Sequence, residues 1–450
     1  MLYRKIESLI EAHLKSGSEK ILLIDGARQV GKTYIIRHAG KRLFENFIEI
    51  NMVEDQLGDG LFANTKTIED FYLQVSMIAG SKMKDRENTL IFLDEIQAYP
   101  HLLTLLKFLS QDNRFTYIAS GSLLGVALAQ TTSIPMGSIR KVRMFPLDFE
   151  EFLYANGMNE IVISSMRGKF QLSQGLDEPM HDKMMDLFRK FLLVGGLPDA
   201  VNTYLQEKNI QSVREIQREI HDYYAADASK YDREKNLKIR RVFELIPSNM
   251  ENRKKRMVAQ HIENKRGKTF HDYEDEFEYL ISAGIALQVQ AISNPVFPLI
   301  ESTGKNLLKL YLNDAGILTG ILYGSNIRAV LDDQKSINLG SVYETVVASE
   351  LIAHGHKLFY YDNRSKGEVD YLIDDYDSLS VIPIEVKSGK DYTVHSALNT
   401  FVRNEDYHIQ KAFVLSNERE VSVKGKITYL PIYYIMFFQA DASEGVPTEI

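Results

Sequence analysis

Residues 21 to 25, Ile-Leu-Leu-Ile-Asp, form a short apolar run that stops at a glycine, and a helical pattern follows from about Lys32. The order is strand, loop, helix. Further apolar runs at Phe47 to Ile50, Leu90 to Leu93 and Phe115 to Ala119 alternate with helical patterns, as in a parallel sheet covered by helices. This first domain should end near Pro146. From Asp148 to about Tyr224 the pattern is helical, broken by a Gly- and Ser-containing loop around 168 to 176 and by Gly195-Gly196-Leu197-Pro198; this predicts a helical lid. Residues from about 230 to 330 mix helices with short strands, among them Asn306 to Leu312, and suit a small winged-helix fold. The last 110 or so residues read as a helix (Ser341 to Ala353), strands at Lys357 to Tyr361, Glu368 to Ile373 and Ile382 to Val386, a helix (His395 to Asn404) and two more strands. That order predicts a second α/β domain. The expected division is therefore 1–146, 147–228, 229–330 and 331–450.

Length agrees with several domains, since 450 residues at roughly 150 per domain leave room for about three, each with its own core. With 44% hydrophobic and 25% charged residues, no biased tract argues for disorder or a fibrous repeat. The chain has no cysteine, which excludes disulfides, thiol nucleophiles and cysteine-ligated zinc. The eleven histidines show no ligand spacing and suggest no zinc site. No apolar stretch approaches the length needed to span a bilayer, and the N-terminus opens an amphipathic pattern rather than a leader. We expect a cytoplasmic protein without a membrane partner. The net charge of −8 repels nucleic acid at long range, so contact with DNA or RNA requires a local basic patch. Arg253-Lys254-Lys255-Arg256 with Lys265, Arg266 and Lys268 offers one, although an acidic stretch from Asp272 to Glu278 follows at once.

Gly26-Ala27-Arg28-Gln29-Val30-Gly31-Lys32-Thr33 satisfies G-x-x-x-x-G-K-[ST] and sits directly after a buried strand, opening a helix. Such a loop wraps phosphates with backbone N–H groups at a helix N-terminus. We expect Gly26 through Tyr34 to line an ATP site, with Lys32 reaching the β- and γ-phosphates and Thr33 ligating Mg2+. An ATPase also needs a carboxylate at the end of a neighbouring strand and a group that polarises water. Leu90-Ile-Phe-Leu-Asp94-Glu95 supplies both: Asp94 for the metal and Glu95 as general base. Ser120 and Ser122, at the end of the next strand, are candidates for sensing the γ-phosphate, and Gln97 is a further polar neighbour.

GARQVGKT, LIFLDEIQ, IASGSLL, MFPLDFEEFL, GGLP, EVDYLI and PIEVKSGK occur in this order. The chain thereby resembles a group of prokaryotic AAA-superfamily ATPases of the archaeal type that carry a C-terminal domain similar to restriction endonucleases. The resemblance covers nearly the whole chain and implies a P-loop parallel-sheet ATPase core with a lid, a winged-helix-like middle and a nuclease-like α/β end. It also implies that Pro198, after the two glycines, lies against adenine. Many relatives have Gly-Arg before the PLSF-like segment, where this chain has Gly137-Ser138; Arg140 and Arg143 stand nearby, and Arg140 is the candidate for an arginine acting on the γ-phosphate.

Restriction-type nucleases hold divalent metals with carboxylates on adjacent strands and keep a lysine near the water, which appears in sequence as an acidic residue followed by E-x-K. Asp370 lies in one expected strand and Glu385-Val386-Lys387 in the next, with residues 385 and 387 on one face. Asp370 and Glu385 are the candidate metal ligands and Lys387 the catalytic partner, while Glu344 on the preceding helix completes the cluster by analogy with related nuclease folds. Two readings stay open. In one, ATP binding and hydrolysis are coupled to a nuclease-like domain that acts on nucleic acid. In the other, the nuclease-like fold is inert and binds a protein partner, making the chain a nucleotide-dependent regulator or scaffold. An oligomer is compatible with both.

Overall fold

The computed structural model describes residues 1–122, 124, 137–228, 236–252, 255–302, 307–332, 339–363, 366–389, 393 and 395–440. Arg253, Lys254 and Asn306 lie outside them. The chain forms two compact units: Tyr3–Phe145 with Ser282–Ile285, and Pro146–Ile281 with Ala286–Ile450. The first break falls between Phe145 and Pro146.

The first unit contains a five-stranded sheet of β1 (Ile21–Asp25), β2 (Asn46–Asn51), β3 (Thr89–Asp94), β4 (Thr116–Gly121) and β5 (Ile139–Arg143) in the order β2-β3-β4-β1-β5. Every pairing is parallel. All residues of β1 and β3 are buried, as expected where helices cover both faces of a parallel sheet. The helices include Lys32–Leu43, Ile68–Ala79 and Pro100–Asp112. Leu102, Leu103, Leu106 and Leu109 of the last pack with Ile91, Leu93 and Ala119 in one apolar core. The edge strand β5, Ile-Arg-Lys-Val-Arg, is only partly buried.

The second unit begins with helices. Asp148 caps Phe149–Ala155 in a reciprocal arrangement with Glu151, followed by Glu160–Gln171, Glu178–Val194, Pro198–Glu207 and Ile210–Ala228. The helical segment expected from Asp148 is present. It is broken first at residues 156–159, and the break expected around 168 to 176 begins only after Gln171, because Gly168 sits within the helix. Arg214 pins this bundle internally: its guanidinium donates to the carbonyls of Leu193 (3.1 Å) and Gly316 (2.9 Å).

An eight-stranded mixed sheet follows, formed by β6 (Ala286–Ile292), β7 (Leu308–Leu312), β8 (Phe359–Asn363), β9 (Gly367–Asp375), β10 (Ser380–Val386), β11 (Ala412–Ser416), β12 (Ser422–Lys424) and β13 (Ile427–Pro431). Its order is β12-β13-β11-β10-β9-β8-β6-β7. The strands of the segment expected to be winged-helix-like, β6 and β7, are hydrogen-bonded into this sheet, β6 parallel to β8 and antiparallel to β7. β7 is buried along its whole length. The helix Gly340–Ala353 is buried on nearly all sides, as its lack of a polar stripe requires.

Candidate functional site

β1 delivers the chain to the phosphate-type loop. Gly26 has φ 150°, and a Cβ there would collide with the carbonyl oxygen of Met144, whose own N–H donates to the Asp25 carbonyl (2.7 Å). Gln29 and Gly31 both adopt positive φ, 65° and 94°, turning the loop into the helix Lys32–Leu43. Lys32 folds back over the loop: its ammonium donates to the carbonyls of Gly26 (3.0 Å) and Ala27 (2.9 Å). Burial pulls the Lys32 ammonium below its ordinary value, and Glu95, Asp25 and Asp94 oppose the shift. Val30 is buried, whereas Tyr34 is 57% exposed.

The acidic pair at the end of β3 meets this loop. Thr33 donates its hydroxyl hydrogen to Oδ2 of Asp94 at 2.8 Å, and Ser120 donates to Oδ1. Burial raises the Asp94 carboxyl above its usual range, and these two hydroxyls and Lys32 counter part of that rise. Glu95 follows in a left-handed conformation, φ 53°. Its Oε2 accepts from Ser122 (3.1 Å) and from the Gln97 amide, which also reaches the Ser122 hydroxyl at 3.3 Å. Lys32, Thr33, Asp94, Glu95, Ser120, Ser122 and Gln97 thus form one connected group at the C-terminal end of the parallel strands, where ligands of such sheets bind.

Two basic residues near this group carry no motif. Arg4, buried, donates from Nη1 to the Val30 carbonyl (2.9 Å) and from Nη2 to the Phe145 carbonyl (2.6 Å), holding the back of the loop. Arg143 stands opposite Asp25 in the β1–β5 register, while Arg140 stands opposite Leu22, roughly 10 Å farther along the strand. The Arg143 guanidinium lies 3.5 Å from Asp25 Oδ2, and Lys141 Nζ lies 3.1 Å from it. Arg143, not Arg140, is therefore the β5 arginine at the loop end of the sheet.

In the second unit, Gly195 and Gly196 are packing positions. A Cβ on Gly196 would overlap the Leu147 carbonyl, and one on Gly195 would overlap the Asp314 carboxylate, which accepts from the Gly196 N–H at 2.7 Å. Pro198 is the first residue of its helix, where its missing N–H costs nothing.

The C-terminal candidates also come together. Tyr371 on β9 faces Ile384 on β10, which sets Asp370 opposite Glu385. The Val386 N–H donates to Asp370 Oδ2 (2.9 Å) and Lys387 Nζ donates to Glu385 Oε1 (2.7 Å). Glu344 is buried, accepts from Tyr311 Oη at 3.1 Å, and pairs with Lys255. Burial, with Glu385 and Glu344 close by, pushes the Asp370 carboxyl well above the usual range. Burial acts the same way on Glu344, but Lys255 and Lys309 outweigh it and hold that carboxyl low. Lys309, fully buried and paired with Glu368, was not foreseen, because an isolated lysine in an apolar strand carries no motif. Four residues of the basic run pair with carboxylates: Lys255 with Glu344, Arg256 with Asp362, Lys265 with Glu263 and Lys268 with Asp272.

With this geometry in place, the chain can be compared with known proteins. Residues 18–153 match the family described as the AAA domain. Residues 185–327 and 339–435 match two families described only as domains of unknown function. No curated protein matches the chain. Among solved structures, a Walker-type ATPase of Pyrococcus abyssi is similar at 14% identity and a TM-score of 0.44, over 74% of this chain and 96% of that one. The Aeropyrum pernix ORC1 protein, solved in complex with DNA, is similar at 12% identity and a TM-score of 0.31, over 74% and 93%. The Pif1 helicase of Candida albicans is similar at 15% identity and a TM-score of 0.24, over 34% and 43%. Overlays this loose say nothing of substrate. Among the described residues, no helix is long and apolar enough to cross a membrane.

Proposed function

We propose that the first unit binds ATP with Mg2+ and hydrolyses it. The observation that carries this reading is the Thr33–Asp94 hydrogen bond at 2.8 Å, which brings the loop hydroxyl and the strand carboxylate to one point beside Lys32. Both groups are hard oxygen donors, and the glycine-lined turn at Gly26 leaves no space for a side chain; the donor set fits a magnesium–phosphate group. Thr33 and Asp94 would hold the metal, which supplies neutralisation of developing phosphate charge. The loop N–H groups from Gly26 to Thr33 bind phosphate at the helix N-terminus. Lys32 exchanges the carbonyls of Gly26 and Ala27 for phosphate oxygens. Glu95, oriented by Ser122 and Gln97, takes the proton of the attacking water. Tyr34 borders the site. The test is Mg2+-dependent phosphate release: Lys32→Ala should remove it together with nucleotide binding, and turnover that survives Lys32→Ala would sink the assignment.

For the second unit, the first reading keeps Asp370 and Glu385 as metal ligands, with Lys387 and Glu344 completing a nuclease-like site whose use of DNA or RNA depends on nucleotide state. One observation favours the alternative of an inert module that binds a protein: Lys255 and Lys387 each already occupy a carboxylate of the cluster. Added nucleic acid separates the two. Stimulated ATP turnover that falls steeply with salt supports the first, and indifference supports the second.

A further inference from the structure

A cavity of about 340 Å³ opens inside the second unit, lined from the helices Ile210–Ala228 and Ala315–Tyr323. Arg214, Gln217, Arg218 and His221 recur at the three- and four-residue spacing that places side chains on one helix face, and all four line the cavity. Ile317 and Ile321, four apart on the second helix, line it as well. Gly320 of that helix leaves Arg214 its place: a Cβ there would stand only 3.3 Å from Gln217 Oε1 and 3.4 Å from Arg214 Nη1. Among the described lining residues, none is an aspartate or a glutamate.

Arg214 is 4% exposed, and neutral groups hold its guanidinium. Nε donates to the Gly324 carbonyl at 3.1 Å. Around Nη1 stand the carbonyls of Leu193 and Gly316, the Gln217 amide oxygen (2.6 Å) and the Thr319 hydroxyl (3.1 Å). Nη2 is buried and has no acceptor among the described residues. The carboxylate that acts on this charge, Asp314, is itself engaged by the N–H groups of Gly196 (2.7 Å) and Ile317 (2.9 Å). Burial pulls the Arg214 guanidinium down to about 10, against the opposing pull of Asp314. A buried cation whose contacts are all neutral, and whose fork has one nitrogen unserved, is short of an anion.

Two further groups share the wall. His221 stacks on Phe243 with 5.0 Å between ring centroids, its Nδ1 lies 3.7 Å from Asp222 Oδ1, and its Nε2 has no partner among the described residues. Arg218, one helical turn beyond Arg214, is exposed. Two guanidinium groups one turn apart present more N–H donors than a single carboxylate takes up, whereas a phosphate group offers charged oxygens to both. The volume falls within the range of small-molecule sites, about 300–1,000 Å³. It exceeds what inorganic phosphate fills, which leaves Ile317 and Ile321 for an uncharged part of the ligand.

We propose that this cavity binds a small phosphorylated molecule, with Arg214 and Arg218 on its phosphate and Ile317 and Ile321 against its uncharged part. The site uses no residue of the glycine-rich loop or of the β9–β10 cluster.

The experiment is equilibrium dialysis of radiolabelled pyrophosphate, in EDTA, against the full chain carrying Lys32→Ala, so that the glycine-rich loop contributes little. We expect one equivalent to be retained. Adding Arg218→Glu should weaken retention at least tenfold, as loss of a charge-assisted hydrogen bond does, and should leave the melting temperature unchanged because Arg218 is exposed. Ser325→Asp, which brings a negative charge to the cavity from beyond the second helix, should weaken it likewise and keeps the test open if the first variant fails to fold. No retention at millimolar pyrophosphate, or equal retention in the parent and both variants, would overturn the site. Competition extends the reading. Citrate should compete at least tenfold more weakly than unlabelled pyrophosphate, and equal competition would overturn the choice of phosphate. Phenyl phosphate should compete better than inorganic phosphate, and the reverse order would remove the apolar half of the site. A short DNA duplex that displaces pyrophosphate would overturn the small-molecule reading in favour of a nucleic-acid backbone.

Discussion

Thr33 and Asp94, sixty-one positions apart, share a hydrogen bond of 2.8 Å that joins the glycine-rich loop to the end of β3. The bond exists because β3 and β1 run in the same direction on either side of β4, so their C-terminal ends open on one crevice. Glu95 comes next in the chain, and its positive φ turns it out of the strand toward Ser122 and Gln97.

Glu95→Gln should leave ATP binding intact and slow turnover by about 10²–10⁴, the usual worth of a positioned general base. Glutamine keeps the shape and an acceptor for Ser122, so the fold is spared. Equilibrium binding of a fluorescent ATP analogue beside single-turnover hydrolysis gives the comparison; hydrolysis at the parental rate would reassign the water-activating group.

Arg4→Ala should destabilise the first unit by about 1–3 kcal/mol for each acceptor left buried without a donor. The carbonyls concerned are those of Val30 and Phe145, and the first belongs to the phosphate-type loop. ATP affinity should therefore fall more than the rate at saturation. Urea denaturation and the KM-to-kcat split test this, and a change in kcat alone would contradict it.

Gly196→Ala should cost about 1–3 kcal/mol, as overpacked positions do, since its methyl would press on the Leu147 carbonyl. A melting temperature unchanged in Gly196→Ala would show that the segment has room for the methyl.

Stability should decline as the solution is acidified below about pH 6.5. His13, His181 and His221 are all held below the ordinary imidazole value of about 6.5, in each case mainly by burial. Their unfolded forms take up protons at a higher pH than the folded ones, so between the two values acid favours the unfolded chain. His181, whose Nδ1 lies 3.1 Å from Tyr433 Oη, is the simplest to replace. The slope of melting temperature against pH should flatten in His181→Gln, and an unchanged slope would remove this residue from the account.

What the sequence made legible was local. β1 is a continuous apolar run ending at Gly26, and β3 ends in Asp94-Glu95, so both strands and their chemistry could be read in place. β5 could not, because Arg140, Lys141 and Arg143 make it look like surface; two of these cations are held there by the buried Asp25. Nor could the partnership of β6 with β8: Gln290 pairs beside Phe359, and no periodicity reports pairing over such a separation. Asp370, Glu385 and Lys387 were legible because two adjacent strands carry them, whereas Lys255 and Lys309 reach the same cluster from elsewhere in the chain.

The strand order has a consequence for synthesis. A ribosome makes β1 first, yet both neighbours of β1 are β4 and β5, whose last residues are Gly121 and Arg143. Until those residues emerge, Asp25 and the glycine-rich turn belong to a strand with no flank on either side, and closing the sheet around it means inserting the oldest strand between the two youngest. Nucleotide can meet a formed loop only after that insertion, so a nascent chain stopped short of residue 121 would carry the complete motif and none of the pocket.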